Sequence, residues 1–409
     1  MSNLKNTPGY QRLVGTMALN QSAYAMAAVA IPLLVFDVSG NATLTGTISG
    51  LSTAALVVLS LPAGALTDTF HASTVLRLVT LTQAILWLGI AAMVGFGATS
   101  LLVIAGCAIV ATALSAFDAP SEQSLIQQIV APDDFGTANA IAHGRESAAA
   151  VIGGPVAGFL YSLAPAVCLA VQSCLHGLAS VLVPNRKLAD APAPSSDESS
   201  PSLAGTAAEG FRFVFNHPGL RWITVVAAIA NVPMSAFILL LIFSYRDAGA
   251  SAFVVGLISA AFSAGVIAGS FFAGPLTKRV PLGKLGTMAL AAFTAELFML
   301  TLVHDNTAAT IVTLFAAGLP LASFNSAIGA FTAAVTPEGR MGSVTTASTV
   351  PGIFLMPAGA ILAGFGFEHW GTTASLAVIS TLALVSTALT FVRPLQRIPL
   401  LTALNSSGS

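Results

Sequence analysis

Gly64-Ala65-Leu66-Thr67-Asp68 ends one long apolar run of the sequence, and Gly274-Pro275-Leu276-Thr277-Lys278 ends another. The two stretches start 210 residues apart (274 minus 64), and the similarity extends upstream at this spacing. Within positions 37–67, the residues that recur 210 positions later, without a gap, are Asp37, Ala42, Gly46, Ile48, Ser49, Ala54, Ser60, Ala63, Gly64, Leu66 and Thr67. A match at one fixed offset is typical of an internal duplication. We therefore predict that the chain consists of two versions of one unit.

The composition is that of a membrane protein. The 409 residues are 55% hydrophobic and 8% charged, with a mean hydropathy of +0.86, whereas about 25% of the residues in soluble domains are charged. Apolar runs of about 20 residues can cross a bilayer as helices, and their continuity excludes a β-barrel. Twelve such runs occur, at residues 13–37, 43–67, 74–96, 100–129, 138–162, 164–184, 219–245, 253–276, 284–303, 308–332, 344–366 and 372–392. We predict an all-α polytopic membrane protein with twelve transmembrane helices in two pseudo-symmetric six-helix bundles.

The Lys and Arg residues predict the orientation, because they concentrate in cytoplasmic segments. If the N-terminus is inside, all of the 15 Lys and Arg residues except Arg246 fall on the cytoplasmic side or in the cytoplasmic half of a span. The first apolar run is too long for the core of a signal peptide, so it is counted as a span. We expect a multi-pass protein of a bacterial-type inner membrane with both termini in the cytoplasm.

The predicted domains are an N-terminal six-helix bundle at 1–184, a cytoplasmic linker at 185–218 and a C-terminal six-helix bundle at 219–409. The linker is rich in Pro, Ser and acidic residues, a composition typical of a disordered segment. Its last part, residues 209–215, alternates bulky apolar and polar residues. This pattern fits a short interfacial helix, or simply the start of the seventh span.

No arrangement typical of an enzyme or a metal protein occurs in the sequence. No Ser/His/Asp or Cys/His set falls at one membrane face, and Cys107, Cys168 and Cys174 lie within apolar runs without the spacing of metal ligands. We expect no enzymatic activity, no cofactor and no metal. The loops are too short for a soluble output module, so a non-transporting membrane sensor is disfavoured.

Several stretches resemble the major facilitator superfamily of secondary transporters. The Gly64-x-Leu66-x-Asp68 stretch stands where that family has its signature loop between spans 2 and 3, and the second copy stands between spans 8 and 9. Gly154-Pro155-x-x-Gly158 looks like the span 5 motif of its antiporter members, and 117–120 resembles the macrolide-efflux and enterobactin-exporter branch. Thr69 and Phe70 replace the basic residues that usually follow the Asp.

This resemblance implies a transporter that exports amphiphilic small molecules, such as a drug, macrolide or siderophore, by alternating access with proton antiport. An importer or a facilitated-diffusion carrier of a small organic solute remains the alternative. The implied partners are a small-molecule substrate, protons and the lipid bilayer; no nucleic acid is expected, and the chain is expected to be a monomer.

Charged residues inside spans 4 and 5 are candidates for the substrate or proton pathway, because each costs about 2.5–3.5 kcal/mol to insert at the bilayer centre. Asp118 and Glu122 are four residues apart and share one helix face, and Arg145 and Glu146 follow on the next span. Arg145 can neutralise one carboxylate, and desolvation favours the protonated form of any that is left unpaired. A purely structural network is the alternative.

Amides on spans 1 and 7 are candidate substrate contacts. In the family that the chain resembles, spans 1, 4, 7 and 10 line the central cavity, and Asn20, Gln21 and Asn231 fall near equivalent positions of the two halves. Hydrogen bonding between helices is the alternative role. We expect the rest of the cavity to be lined by Phe, Met and small residues, and we expect Glu296 and His176 to be structural.

The repeated stretch and the motif in span 5 form the predicted conformational gate. It comprises Gly64, Asp68, Gly274 and Lys278 at equivalent cytoplasmic corners, with Gly154 and Pro155 at a site of close packing or bending. The carboxylate of Asp68 can cap a helix N-terminus or meet a basic group and so hold the cytoplasmic side shut.

Overall fold

The computed structural model describes residues 7, 9–131, 134–184, 203–337, 340–398 and 400. These residues are almost entirely helical, and no strand occurs among them. A helix satisfies its backbone N–H and C=O groups within one segment, as a segment surrounded by lipid must. The predicted all-α membrane fold is confirmed.

The described residues of the first half of the chain form seven α-helices. They are α1 (Tyr10–Ser39), α2 (Ala42–Thr69), α3 (Ala72–Gly95), α4 (Leu101–Leu114), α5 (Asp118–Ile129), α6 (Phe135–Leu163) and α7 (Pro165–Leu182). The second half forms seven more, which are α8 (Leu203–Asn216), α9 (Pro218–Asp247), α10 (Ala252–Arg279), α11 (Leu282–Val303), α12 (Thr307–Val335), α13 (Met341–Leu389) and α14 (Arg393–Gln396).

Ten helices within the described ranges are long and apolar enough to cross a membrane. They account for eleven of the predicted spans, because spans 11 and 12 are joined in α13 at Gly371, where the backbone turns with φ of 73°. The remaining predicted span corresponds to α6, whose part 151–163 is a shorter apolar helix. Span 4 is interrupted by a 3₁₀ turn at Ser115–Phe117, which the sequence analysis did not predict.

The internal duplication is visible in the helix lengths. α2 and α10 both contain 28 residues, and their first residues, Ala42 and Ala252, are separated by the offset of the sequence repeat. Both stretches are helical, so α2 extends two residues beyond the predicted end of its span at 67 and α10 three residues beyond the predicted end at 276. The hydroxyls of Thr67 and Thr277 donate to carbonyl groups of the preceding turn, so these residues fit within a helix.

Two compact units make up the chain. The first comprises 1–195 together with 242–260, so it includes the end of α9 and the start of α10. Within it, α1 packs on α6 and α7, α3 packs on α7, and α2 packs on α4. These units are defined by contacts, and the division of the sequence at residues 185–218 stays a prediction.

The second unit comprises 196–241 and 261–409, in which α11 packs on both α12 and α13. Its core includes three buried or half-buried rings, those of Phe237, Phe262 and Phe293, whose centroids lie 5.1–6.4 Å apart. α8 is a separate helix that packs on α13, and so it is not merely the start of span 7. Its position relative to a membrane surface stays a prediction.

Small residues allow α10 and α12 to approach closely in the second unit. A Cβ atom at Gly265 would overlap the carbonyl oxygen of Phe315, and a Cβ atom at Gly269 would overlap that of Leu319. The pattern of two small residues four positions apart is typical of membrane helices that pack backbone to backbone. Gly274, further along α10, has open space around its Cα.

We expect Gly269→Ala to destabilise the protein by about 1–3 kcal/mol, because the added methyl group meets backbone atoms that cannot rotate away. Gly274→Ala is the matched control on the same helix, and it should leave stability unchanged or raise it slightly because Ala is the better helix former. Thermal unfolding of both variants in nanodiscs measures the difference. Equal unfolding temperatures would contradict the packing described for α10 and α12.

Candidate functional site

The interruption of span 4 places Asp118 at the start of a new helix. The backbone N–H of Ser115 bonds to the carbonyl groups of Thr112 and Ala113, so the carbonyl of Ala111 loses its usual helical donor. The side chain of Gln83 on α3 replaces that donor, with its Nε2 atom 3.1 Å from the Ala111 oxygen. A short 3₁₀ segment within a helix often marks a functional hinge.

A chain of polar side chains runs from α7 through α1 to Asp118. The Nδ1 atom of His176 lies 2.8 Å from Oδ1 of Asn20, and both residues are buried. The side chain of Asn20 also interacts with the carboxylate of Asp118. Since the Asn20 oxygen is shared with His176, its amide group is free to donate to the carboxylate. One carboxylate oxygen of Asp118, Oδ1, is buried and has no hydrogen-bond partner among the described residues.

The remaining predicted pathway residues are not all brought to Asp118. Glu122 is half-buried one turn along α5, and Gln21 is half-buried on α1. Arg145 is half-buried on α6, and its Nη1 atom has no hydrogen-bond partner among the described residues. The side chain of Glu146 lies outside the described residues. The pairing of Arg145 with one of the carboxylates stays a prediction.

A charged cluster lies at the distal end of the first unit, by which we mean the end where α1 stops and α2 begins. Arg246 donates to both oxygens of Asp37, from Nε to Oδ1 at 2.7 Å and from Nη2 to Oδ2 at 2.8 Å. The hydroxyl of Tyr161, at the end of α6, donates to Oδ2 at 2.9 Å. This two-pronged geometry is the strongest form of the Arg–carboxylate pair. We call Asp37, Tyr161 and Arg246 the distal cluster.

Glycine residues bring α6 and α10 into close contact beside the distal cluster. A Cβ atom at Gly154 would lie 2.9 Å from the carbonyl oxygen of Gly256, and one at Gly158 would overlap the carbonyl oxygen of Ala252. Pro155 continues within the helix without breaking it. The predicted close packing at Gly154 and Pro155 is therefore present in the structure; a role in gating stays a prediction.

A cavity of about 420 Å³ in the first unit is formed by α1, α6 and α7. A second cavity of about 310 Å³ lies within the second unit, between α9, α12 and α13. Its polar lining is uncharged and consists of Thr224, Asn231, Asn325, Thr332, Thr345, Ser348 and Thr349. The buried hydroxyl of Thr224 has no hydrogen-bond partner within the described part of the chain. This lining includes Asn231 as predicted, and its hydroxyl and amide groups are accompanied by small residues and isoleucines, without Phe or Met.

The predicted cytoplasmic gate is described only in part. Gly64 is half-buried and Gly274 is exposed, and neither has an atom close to the position of a missing Cβ. Lys278 is exposed near the end of α10. The side chain of Asp68 lies outside the described residues, so its role as a latch stays a prediction. Among the described residues, no group of three or more His, Cys, Asp or Glu side chains is arranged to hold a metal ion.

Sequence reasoning missed the distal cluster and Gln83. A signal for the cluster was present, because Arg246 is the one basic residue that the orientation rule places on the opposite side, and a partly buried guanidinium needs an acidic partner. Nothing in the sequence around Gln83 indicates that a carbonyl group of span 4 is freed, since the 3₁₀ turn depends on packing.

Comparisons with known proteins identify a family with this fold. The family model described as Major Facilitator Superfamily matches residues 13–248 and again 233–405. No curated protein sequence matches the chain.

Several solved structures are similar along nearly their whole length. A mutant of the nucleoside transporter NupG has a TM-score of 0.74 at 14% identity, covering 96% of this chain and 99% of that chain. A bacterial homologue of the human lysosomal transporter Spinster, inward-facing and unoccupied, has a TM-score of 0.74 at 15% identity, with 96% and 98% coverage. A D-xylose–proton symporter has a TM-score of 0.69 at 11% identity, with 98% and 99% coverage. Identities this low show a shared fold alone.

We expect Asp37→Asn to loosen the distal end of the first unit, because the neutral amide cannot accept both prongs of the Arg246 guanidinium. The readout is the labelling rate, by a water-soluble maleimide in nanodiscs, of Ala252→Cys, a position only 2% exposed. The native Cys107, Cys168 and Cys174 are replaced by Ser. Labelling should rise about fivefold, which corresponds to roughly 1 kcal/mol for a charge-assisted pair that is still partly exposed.

The matched control is Asp247→Asn, which neutralises an exposed acid adjacent to Arg246. Its labelling rate should equal that of the parent protein. If both variants label at the parent rate, the distal cluster does not hold this contact closed.

Proposed function

Because the chain belongs to the Major Facilitator Superfamily, we propose that it exports amphiphilic small molecules by alternating access, with protons moving in the opposite direction. Its family and its long apolar helices identify it as a multi-pass membrane transporter of a small solute. In the proposal, it works as a monomer in a bacterial-type inner membrane, with both termini in the cytoplasm. The N-terminal end of α1 then faces the cytoplasm, and the distal cluster faces the outside.

The surroundings of Asp118 are the observation that supports proton coupling. Its carboxylate sits at a break within a membrane span, lies next to the Asn20 side chain, and has one oxygen without a partner among the described residues. A carboxylate in a low-dielectric site without a cation is stabilised by taking up a proton. When the site opens to water, the same group can ionise and release it. Asp118 is therefore the proposed proton site.

The neighbours of Asp118 support a link between its protonation and helix movement. The 3₁₀ turn at Ser115–Phe117 lies directly before it and is held by Gln83 of α3. A change of charge at Asp118 alters its interaction with Asn20, and so it acts on α1 and α5 together. Asp37 of the distal cluster lies on α1, as Asn20 does. This helix therefore connects the Asp118 site with the distal cluster.

The distal cluster and the α6–α10 contact are the elements that the proposal requires to open. In alternating access, the two ends of the transport path open in turn around a central site. One two-pronged ion pair and glycine packing hold this contact. Because few charged groups change their hydration when the contact opens, it can open and close repeatedly. Glycine packing is also lost over a short separation, since dispersion forces fall steeply with distance.

A second candidate function is import, or facilitated diffusion, of a neutral hydroxylated solute. The cavity of the second unit favours it, because uncharged hydroxyl and amide side chains can pair with the hydroxyl groups of such a solute. An amphiphilic export substrate fits the same lining if its polar part is uncharged. The two candidates differ in the direction of transport and in the need for a proton gradient.

We expect Asp118→Asn to abolish proton-driven export, because the amide cannot carry a proton across the site. The assay is accumulation of labelled compounds from drug, macrolide and siderophore panels in inverted membrane vesicles, with and without a proton gradient. Wild-type vesicles should accumulate a substrate only with the gradient. Glu296→Gln, which changes a half-buried acid on α11, is the matched control and should keep full activity.

Three outcomes would overturn parts of this proposal. Full accumulation without a gradient would exclude proton antiport and favour facilitated diffusion. Uptake in right-side-out vesicles of a nucleoside or sugar, with no accumulation in inverted vesicles, would establish the import function instead. An active Asp118→Asn variant that still needs the gradient would move the proton site to another acid, such as Glu122.

A further inference from the structure

The 420 Å³ cavity of the first unit is a groove between α6 and α7, with α1 as its floor. Its lining is apolar along most of its length, with side chains such as Ala18, Met26, Ile152, Val156, Val171 and Leu175. Ile152 is 61% exposed, so the groove opens sideways from the helices. From Arg145 to Val156 it spans about 16 Å along α6, at roughly 1.5 Å per residue. This is the shape of a site for an extended apolar chain.

One end of the groove carries a charge. Arg145 is the only charged residue in the described lining, and its Nη1 atom is buried without a hydrogen-bond partner among the described residues. The other polar lining residue, Ser22, donates its hydroxyl hydrogen to the Ala18 carbonyl of its own helix. The groove therefore has one unsatisfied cationic donor at the end nearer the start of α1 and α6.

A second unsatisfied donor lies near Arg145. The side chain of Tyr10, in the first turn of α1, is 4% exposed and interacts electrostatically with Arg145. Its hydroxyl is also buried without a hydrogen-bond partner in the described part of the chain. Leaving two neighbouring donors unpaired is costly, since each loses its water without gaining an acceptor. An anionic group at the end of the groove would satisfy Arg145 directly, and Tyr10 is within electrostatic range of the same position.

We propose that this groove binds an anionic phospholipid of the surrounding bilayer, with its phosphate at Arg145 and Tyr10 and one acyl chain along α6. The sideways opening favours a bilayer lipid over a solute from water, because apolar exposed residues at the rim are continuous with the lipid-facing surface. A guanidinium pairs with phosphate through several parallel hydrogen bonds, and a Tyr hydroxyl adds a further donor. The bound lipid would stabilise the packing of α1, α6 and α7. Its site is separate from the proposed proton site at Asp118, which does not line the groove.

The test uses the full chain in nanodiscs made from equal parts of phosphatidylglycerol and phosphatidylcholine. After mild detergent extraction, native mass spectrometry counts the lipid of each class that stays bound. Wild-type protein should retain phosphatidylglycerol in preference to phosphatidylcholine. Arg145→Gln should reduce this retention about tenfold, the effect of losing a charge-assisted hydrogen bond, and Tyr10→Phe should reduce it less.

Two further variants keep the result interpretable. Ile152→Trp narrows the groove from its exposed rim, should leave the fold intact, and should also reduce phosphatidylglycerol retention. Arg12→Gln is the matched control, because Arg12 is a half-buried arginine of α1 that already donates to the Val181 carbonyl at 3.0 Å. It should retain lipid as the wild type does.

Three results would overturn the proposal. Arg145→Gln and Ile152→Trp with wild-type phosphatidylglycerol retention would show that the lipid binds elsewhere. Equal retention of the two lipid classes by the wild type would show that the headgroup is not recognised. Displacement of bound lipid by inorganic phosphate would show an anion site that does not depend on the acyl chain.

Discussion

A polar group inside a membrane needs a partner within the protein, and this constraint explains most of the structure. Backbone groups are satisfied by long helices, and buried side chains follow the same rule. Gln83 donates to the carbonyl that the 3₁₀ turn releases, Ser173 donates to the Ala84 carbonyl at 2.7 Å, and His176 pairs with Asn20. Where the rule is met, the side chain joins two helices and holds their spacing.

Three of the described residues with a buried atom that breaks the rule are residues to which we assign functions. Asp118 keeps one carboxylate oxygen unpaired beside the break in span 4, Arg145 leaves a donor unpaired at the end of the groove, and Tyr10 leaves a further buried donor unpaired. A proton can satisfy the first group and an anionic lipid the second. The distal cluster is different, since its charges are paired within the protein and can be exposed to water when the contact opens.

The fold was largely predictable from the sequence. Each helix that crosses a bilayer needs a long apolar run, and the repeat at a fixed offset indicates that one unit occurs twice. The end of α2 was predicted two residues early, since Asp68 looks like a polar break, whereas a Thr hydroxyl such as that of Thr67 can bond to the preceding turn and remain helical. Asp118, Asn20 and Asn231 were identified by being polar within apolar runs. The pairs formed by polar residues were not predicted, because the partners are far apart in the sequence. Asn20 and His176 are 156 positions apart, and Asp37 and Arg246 are 209 positions apart.

The central claim is that protonation at Asp118 controls the opening of the distal contact. Spin labels at Phe159 and Phe253, two exposed residues whose rings lie 6.5 Å apart in the first unit, report that contact directly. Dipolar broadening of the electron paramagnetic resonance spectrum in nanodiscs should change with pH in the labelled parent protein and should be independent of pH in Asp118→Asn. Broadening that stays constant with pH in the parent, or changes equally in the variant, would contradict the account.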